Sequence, residues 1–514
     1  MARKWWTLIS VCTGVFMLLL DVTIVNVALP DIERAFGSSL ADLQWVIDAY
    51  ALSLAALLLT AGSIADLAGR RKVFSAGIVV FTLGSALCGF APGTTFLTLA
   101  RGLQGIGGAI MFATSLALLA DAFEPEERGV AFGVFGAVTG IAVAIGPVLG
   151  GALTSGLSWR WIFFVNVPIG IGALVVTLTR VRESRAPVVR RPDWLGFATF
   201  TIALAGLVFG LIRSHADGWG SATVVASLAV AVAMLSAFLI VERRSREPML
   251  DLSLLRVPTF GGGLIAAWTI SASLFSLLTY VVIYLQNILG FSAIQTGVRV
   301  LPLTGAIFLT AGIAGRLTGR VPTRWLIGPG FALVGAGLLL MRGVTASDGW
   351  THLLPGMIVA GVGAGLINVP LASTAVGVVA PARAGMASGI NSTLRQVGIA
   401  TGVAALGSIL ASRVADSVTV ALSHGPLSAH AHAFGQAAAD GRIGGMLAAL
   451  PPRLAAYAAH ASRGGFATGL NTVLLIGAVA AFAGALLTTV LVRQRDFLIG
   501  ESLGAEEPAA ALAH

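Results

Sequence analysis

The spacing of the charges constrains this chain most. Charged residues fall in clusters, and between the clusters run apolar stretches of roughly 18–25 residues, the length of a transmembrane helix. At 1.5 Å rise per residue, such a run crosses the ~30 Å hydrocarbon core of a bilayer. Only 11% of the 514 residues are charged, 56% are hydrophobic, and the mean hydropathy is +0.91. A soluble globular chain carries about 25% charged residues. The sequence therefore predicts an all-α polytopic membrane protein. The 64 glycines fit, because small residues let helices approach closely where lipid gives no hydrophobic drive to associate.

Length and flanking charge place about 14 spans, at 8–30, 43–64, 73–91, 95–120, 130–153, 160–180, 194–213, 221–241, 260–286, 296–316, 324–342, 351–376, 388–412 and 467–491. The opening "MARKWW" resembles the start of a secretory signal. The run behind it is too long and contains Asp21, so it reads as an uncleaved first span. A net charge of +9 raises the question of a nucleic-acid partner, and the distribution of charge answers it. With a cytoplasmic N-terminus, 21 Lys and Arg fall on the cytoplasmic side and 8 on the other, with Arg101, Arg299 and Arg395 inside spans. That bias follows the positive-inside rule and predicts a multi-pass plasma (inner) membrane protein with both termini cytoplasmic. No nucleic-acid partner is expected.

The chain repeats internally. "GSIADLAGRR" (62–71) recurs as "GIAGRLTGRV" (312–321), and "GIGGAI" (105–110) as "GVGAGL" (361–366). Span 2 then matches span 10, and span 4 matches span 12. The predicted organisation is a six-helix lobe over 1–185, two inserted spans over 186–258, a second six-helix lobe over 259–492 and a tail over 493–514. Parallel repeats of this kind mark two-lobed secondary transporters. The long segment 413–466, Ala-, Gly- and His-rich, reads as a solvated, partly helical extracytoplasmic loop. The spacing of His424, His430, His432 and His460 fits no tight metal site. Cys12 and Cys88 lie in apolar runs, so neither a structural disulfide nor a metal site is expected.

An ATP-driven pump needs a phosphate-cradling G-x-x-x-x-G-K-[ST] loop. The only lysines, Lys4 and Lys72, follow no glycine. No ATP and no cofactor are expected, and no catalytic constellation points to an enzyme. Uphill transport must draw on an ion gradient or a partner chain.

Of 23 acidic residues, only Asp21 and Asp48 fall well inside spans. A charge at a helix centre costs roughly 2.5–3.5 kcal/mol on insertion scales, and such residues usually mark an ion or substrate path. Counted at 1.5 Å per residue, Asp21 lies ~14 Å below the outer end of its span, and Asp48 and Arg101 each ~9 Å. Two carboxylates and one guanidinium can thus meet in the first lobe. One Arg neutralises one Asp. A second carboxylate in low dielectric favours its protonated form, which a proton carrier needs. The alternative for Asp21 is a structural ion pair, and for Asp48 a place on the outer vestibule. Gln104, one turn from Arg101, can join the same network.

These residues sit in recognisable motifs. The chain resembles the major facilitator superfamily, and within it the fourteen-span drug:proton antiporter branch of the EmrB/QacA type, over nearly its whole length. "GSIADLAGRRKVF" resembles motif A, with Gly62, Asp66, Gly69, Arg70 and Arg71 on the pattern and Ile64 and Leu67 off it. It implies a conformational latch in which Asp66 faces the N-terminus of span 13. Arg316 replaces the aspartate in the second copy, making the latch one-sided. "LDVTIVNVALPDI" resembles the branch's first-helix motif, with Asp21, Asn26 and Pro30. "RGLQGIGGA" resembles motif B, with Arg101 as the proton-coupling arginine. "GIAVAIGPVLGGAL" resembles motif C, the antiporter motif, with Gly146, Pro147, Gly150 and Gly151. "SGINSTLRQVGIATG" also looks typical of the branch.

The resemblance implies a major facilitator fold and proton-coupled export of a drug or other small organic metabolite, with Asp21, Asp48 and Arg101 as the proton-coupling residues. Candidate cavity residues are Asn26, Gln104, Trp268, Tyr280, Tyr284, Asn368 and Arg395, with Arg395 alternatively capping span packing. The expected substrate is amphipathic or cationic. Export of lipids or lipid-like metabolites is the alternative within transport. A non-transporting membrane sensor is the alternative outside it, and that role has no need for Asp21 and Asp48.

Overall fold

The computed structural model describes residues 3–123, 128–185, 193–245, 248, 250–318, 320–379, 384–441 and 443–497. The side chains of some helical residues, Asp66 and Gly385 among them, lie outside this description. Every regular element among the described residues is a helix, and none forms a β-strand. The long helices are α1 (Arg3–Phe36), α2 (Leu40–Ala68), α3 (Arg70–Gly89), α4 (Thr94–Ala122), α5 (Arg128–Gly156), α6 (Trp161–Arg180) and α7 (Trp194–Asp217). They continue as α8 (Ala222–Arg244), α9 (Pro258–Ile288), α10 (Ala293–Leu317), α11 (Arg324–Leu340), α12 (Leu354–Gly377), α13 (Ala384–Ser423) and α14 (Pro452–Leu491).

Twelve of these, among the described residues, are long and apolar enough to cross a membrane. The sequence expectation was about 14. The two helices outside the twelve are α11, apolar but only 17 residues long, and α5, part of whose side chains are not described.

The packing repeats eight helices on. In the first set α2 and α3 pack on α4, α1 on α5, and α3 on α6; in the second α10 and α11 pack on α12, α9 on α13, and α11 on α14. The sequence repeat lies in those contacts. A Cβ on Gly105 would overlap Tyr50 O of α2 at 2.5 Å, and one on Gly361 would overlap Leu303 O of α10. Gly107 and Gly363 meet the backbones of α3 and α11 in the same way. Helix starts repeat too. Gly37 (φ +61°) turns the chain into α2, and Gly290 (φ +74°) turns it into α10. Each is followed by a capping box, Ser39 with Asp42 and Ser292 with Gln295.

The two sets meet along α2 against α13 and α5 against α10. The intervening α7 and α8 pair with each other, and α7 also packs on α13 and α2. Ser214 of α7 and Ser408 of α13 share a 2.7 Å hydrogen bond.

Segment 413–466, expected as a solvated, partly helical loop, is helical for most of its length and carries a buried apolar stripe. Helices α13 and α14 each run 40 residues. That is ~60 Å at 1.5 Å per residue, about twice the hydrocarbon thickness. Two short helices, Ala431–Ala439 and Ile443–Ala448, join them. Val414, Val418 and Leu422, four residues apart, bury one stripe against Phe434, Ala458 and Phe466, so the apolar core continues into the hairpin. His424, His430, His432 and His460 are exposed on it.

Candidate functional site

Helix α1 holds Asp21 fully buried inside the first set of helices. Its Oδ2 accepts from Nη1 of Arg101 on α4. Its Oδ1 accepts from Gln104 Nε2 at 2.8 Å and from Asn166 Nδ2 on α6 at 3.4 Å. Arg101, one turn from Gln104, also donates to Gln104 Oε1 at 2.7 Å, and its Nε donates to Val46 O of α2 at 3.2 Å. Its guanidinium lies 4.1 Å from the Tyr50 ring centroid, a cation–π distance. Asn166 donates a second bond to Ser85 Oγ on α3 at 3.0 Å, and Ser85 donates to Phe163 O at 2.9 Å. Side chains from two other helices, α4 and α6, thus converge on one carboxylate whose charge a single guanidinium meets, and α2 and α3 complete the network. The sequence placed Asp21, Arg101 and Gln104 together. It missed Asn166, Ser85 and Tyr50, which are neutral and carry no charge signal.

Asp48 is equally buried but stands apart. Neither of its oxygens has a hydrogen-bond partner among the described residues. Val46 and Tyr50, which serve Arg101, lie two residues on either side of it, so at 100° per residue Asp48 points to the opposite face of α2. Gln44, one turn away on that face, donates to Tyr280 Oη of α9 at 3.3 Å. The three charges expected to meet therefore divide into an Asp21–Arg101 pair and a separate Asp48 facing the second set of helices.

Between the two sets lies a narrow cleft with about 50 Å³ of space open to water-sized molecules. Val22, Thr23 and Asn26 of α1, Ile47 of α2, Pro147 of α5, Phe275 of α9 and Ile399 of α13 are among its lining residues. One helix therefore carries Asp21 on its inner face and the cleft wall on another. Helix α9 beside the cleft contains a π-turn at Ser271–Phe275. The Ser271 carbonyl accepts from both the backbone N–H and, at 2.9 Å, the Oγ of Ser276. Such turns recur at functional sites.

Of the expected cavity residues, Asn26 lines the cleft, and its Oδ1 accepts from Thr279 at 3.1 Å across it. Tyr280 is buried behind the wall and donates to Val403 O. Tyr284 stacks on Phe466. Trp268 donates to Thr401 Oγ1 at 3.1 Å. Arg395 and Asn368 bond to each other. Gln104 belongs to the Asp21 network instead.

The antiporter-motif glycines bring α5 close to two neighbours. A Cβ on Gly146 would overlap Thr23 of α1, one on Gly150 would lie 2.7 Å from Ile24, and one on Gly151 would lie 2.5 Å from Ala293 O of α10. In motif A, Gly62 faces open space and Gly69 turns the chain at φ +113°. Arg70 N donates to Ser184 O at 2.9 Å and Arg71 N to Glu183 Oε1 at 3.0 Å, so Glu183 anchors the basic end of the motif. The Asp66 side chain and part of the start of α13, the two halves of the expected latch, lie outside the described residues.

Comparison with known proteins follows the same lines. Residues 11–403 match the Major Facilitator Superfamily. The chain is 39% identical over 407 residues to the multidrug resistance protein Stp of Mycobacterium tuberculosis, covering 79% of this chain and 76% of that one. It is also 39% identical over 412 residues to the puromycin resistance protein pur8 of Streptomyces alboniger, covering 79% and 82%. Among solved structures, a bacterial homologue of the human lysosomal transporter Spinster, inward-facing and occupied, aligns with a TM-score of 0.62 at 17% identity. That alignment covers 96% of this chain and 98% of the other.

Proposed function

Because the chain belongs to the major facilitator superfamily, we propose that it exports a drug-like small organic molecule in exchange for protons, by alternating access. The observation that carries this reading is the buried Asp21–Arg101 pair on a helix that also walls the central cleft. A proton arriving at Asp21 cancels the charge that holds Arg101. The hydrogen bonds from Gln104 and Asn166 then weaken, and α1 is released to shift. Since Val22 and Asn26 ride on α1, a shift there reshapes the substrate wall. Protonation and substrate occupancy thereby bias one equilibrium between two arrangements of the lobes. Asp48, on the other face of α2, is the second proton carrier.

In this reading the chain is of the fourteen-span drug:proton antiporter branch, with α5 and α11 crossing the membrane alongside the other twelve helices. The lobes span 1–185 and 259–492, α7 and α8 form the insertion, and both termini are cytoplasmic. Asp66 and the start of α13 form the cytoplasmic latch. A second reading, export of a lipid-like metabolite, is favoured by the apolar cleft wall of Val22, Ile47, Phe275 and Ile399.

The test is drug-induced proton release from proteoliposomes, comparing the parent with Asp21→Asn and Asp48→Asn. Asp21→Asn should abolish coupled release while leaving drug binding. Undiminished coupled exchange would exclude the role given to Asp21. Faster movement of a labelled phospholipid than of any drug would favour the second reading.

A further inference from the structure

Arg101 and Arg395, two of the arginines placed inside spans, differ in one respect. Arg101 has Asp21, whereas Arg395 has no carboxylate partner among the described residues. Arg395 stands half-buried on α13, one turn before Ile399, whose side chain lines the cleft. Its Nη2 donates to Asn368 Oδ1 on α12, a neutral acceptor that orients the guanidinium without cancelling its charge.

Among the described residues, no acidic side chain stands ready to pair with it. Between 258 and 491 the acids are Asp348, Asp416 and Asp440. Asp348 lies in the turn between α11 and α12, held by Thr345 N at 2.8 Å. Asp416 is 21 residues further along α13, about 31 Å away at 1.5 Å per residue. Asp440 lies beyond it, just after the Ala431–Ala439 helix of the hairpin. Asp21 is committed to Arg101, and Asp48, which has no hydrogen-bond partner among the described residues, forms no ion pair with Arg395. Arginine cannot shed its proton, and a half-buried cation without a counter-ion is costly. Its planar fork has donors left over and matches a bidentate acid.

We infer that Arg395, oriented by Asn368, is an anion-binding point at the edge of the cleft, and that the exported molecule is an amphipathic organic acid rather than a cation. The apolar wall takes the hydrophobic body and the guanidinium takes the carboxylate. This rests on the export reading only in taking the cleft as the substrate's path.

Three probes of nearly one shape test it: 1-naphthaleneacetate, its methyl ester and 1-naphthylethylamine. Equilibrium binding is measured on the full chain in nanodiscs at one pH, with no gradient. The acid should bind the parent at least about tenfold more tightly than the ester or the amine, as a charge-assisted bidentate bond warrants. Arg395→Gln should reduce acid binding to the level of the ester and leave the ester unchanged, which also reports an intact fold. If Arg395→Gln does not fold, Arg395→Lys keeps the charge without the fork and should weaken the acid alone, about three- to tenfold. Asn368→Ala should weaken the acid a few-fold. Equal binding of the three probes, no binding of any, or a preference that survives at position 395 would overturn the proposal. Since no gradient is present, that outcome leaves proton coupling standing. Loss of proton coupling with acid binding intact would overturn coupling alone.

Discussion

At the scale of single residues, the carboxylate in the middle of α1 is tolerated because its charge never faces lipid. Asp21 and Arg101 are both buried and compensate each other, with Gln104 and Asn166 filling the remaining acceptor sites. A buried pair of this kind adds little net stability, but removing one partner leaves a bare charge. Arg101→Ala should therefore lower stability by about 3–5 kcal/mol. Adding Asp21→Asn should recover part of that loss, because the amide no longer needs a cation. Thermal unfolding of the two single variants and the double in nanodiscs measures the coupling, and simple additivity would mean the two residues do not act as a pair. This pair was legible in the sequence because a charge in an apolar run is conspicuous. Azimuth was not legible: Val46 and Tyr50, two residues either side of Asp48, face Arg101 and Asp48 faces the other way. Asn166 and Glu183 escaped for a different reason. One is uncharged and the other lies in a loop, and only folding brings each to a motif from far along the chain.

At the scale of helices, contact is set by where side chains are missing. Gly107 of α4 approaches α3 so closely that a methyl group would overlap Phe81 N, whereas Gly102, on the same helix, faces open space. Gly107→Ala should cost about 1–3 kcal/mol through overpacking, and Gly102→Ala should be neutral. Gly363→Ala, at the equivalent place in α12, should behave as Gly107→Ala does, since Gly363 meets Gly330 O of α11. Expression and melting temperature in detergent measure all three; a harmless Gly107→Ala would mean α3 and α4 can separate without loss. The repeat was readable because glycine spacing survives where close approach demands it. The lengths of α13 and α14 were not, because alanine- and glycine-rich segments are only weakly apolar and their buried stripe depends on a partner helix. The π-turns in α9 left no mark in the sequence beyond a few serines.

At the scale of the whole molecule, the hydrogen bonds seen between the two sets of helices among the described residues gather at one end. Gln44 reaches Tyr280, Thr279 reaches Asn26, Gln286 donates to Val27 O at 2.7 Å, Asn287 donates to Glu33 Oε2 at 2.7 Å, and Ile294 N donates to Ser155 Oγ at 3.0 Å. All lie toward the ends of α1, α5 and α9 and the starts of α2 and α10, the end opposite the N-terminus. A transporter that works by alternating access must break every bond that closes one end in each cycle. If these bonds are a closed gate, fixing one of them covalently stops turnover, whatever the substrate. The pair Glu33→Cys and Asn287→Cys, in a chain with Cys12 and Cys88 replaced by Ala, should form a disulfide under mild oxidant and lower drug–proton exchange at least about tenfold, with recovery on reduction. The pair Ser10→Cys and Thr177→Cys joins side chains 2.5 Å apart within the first set of helices and should leave exchange unchanged. Full exchange with positions 33 and 287 locked together would mean that this end need not open. The pathway would then have to pass between the helices elsewhere, with α5 and α10 the first place to look, since α7 packs against the α2–α13 seam on the other side.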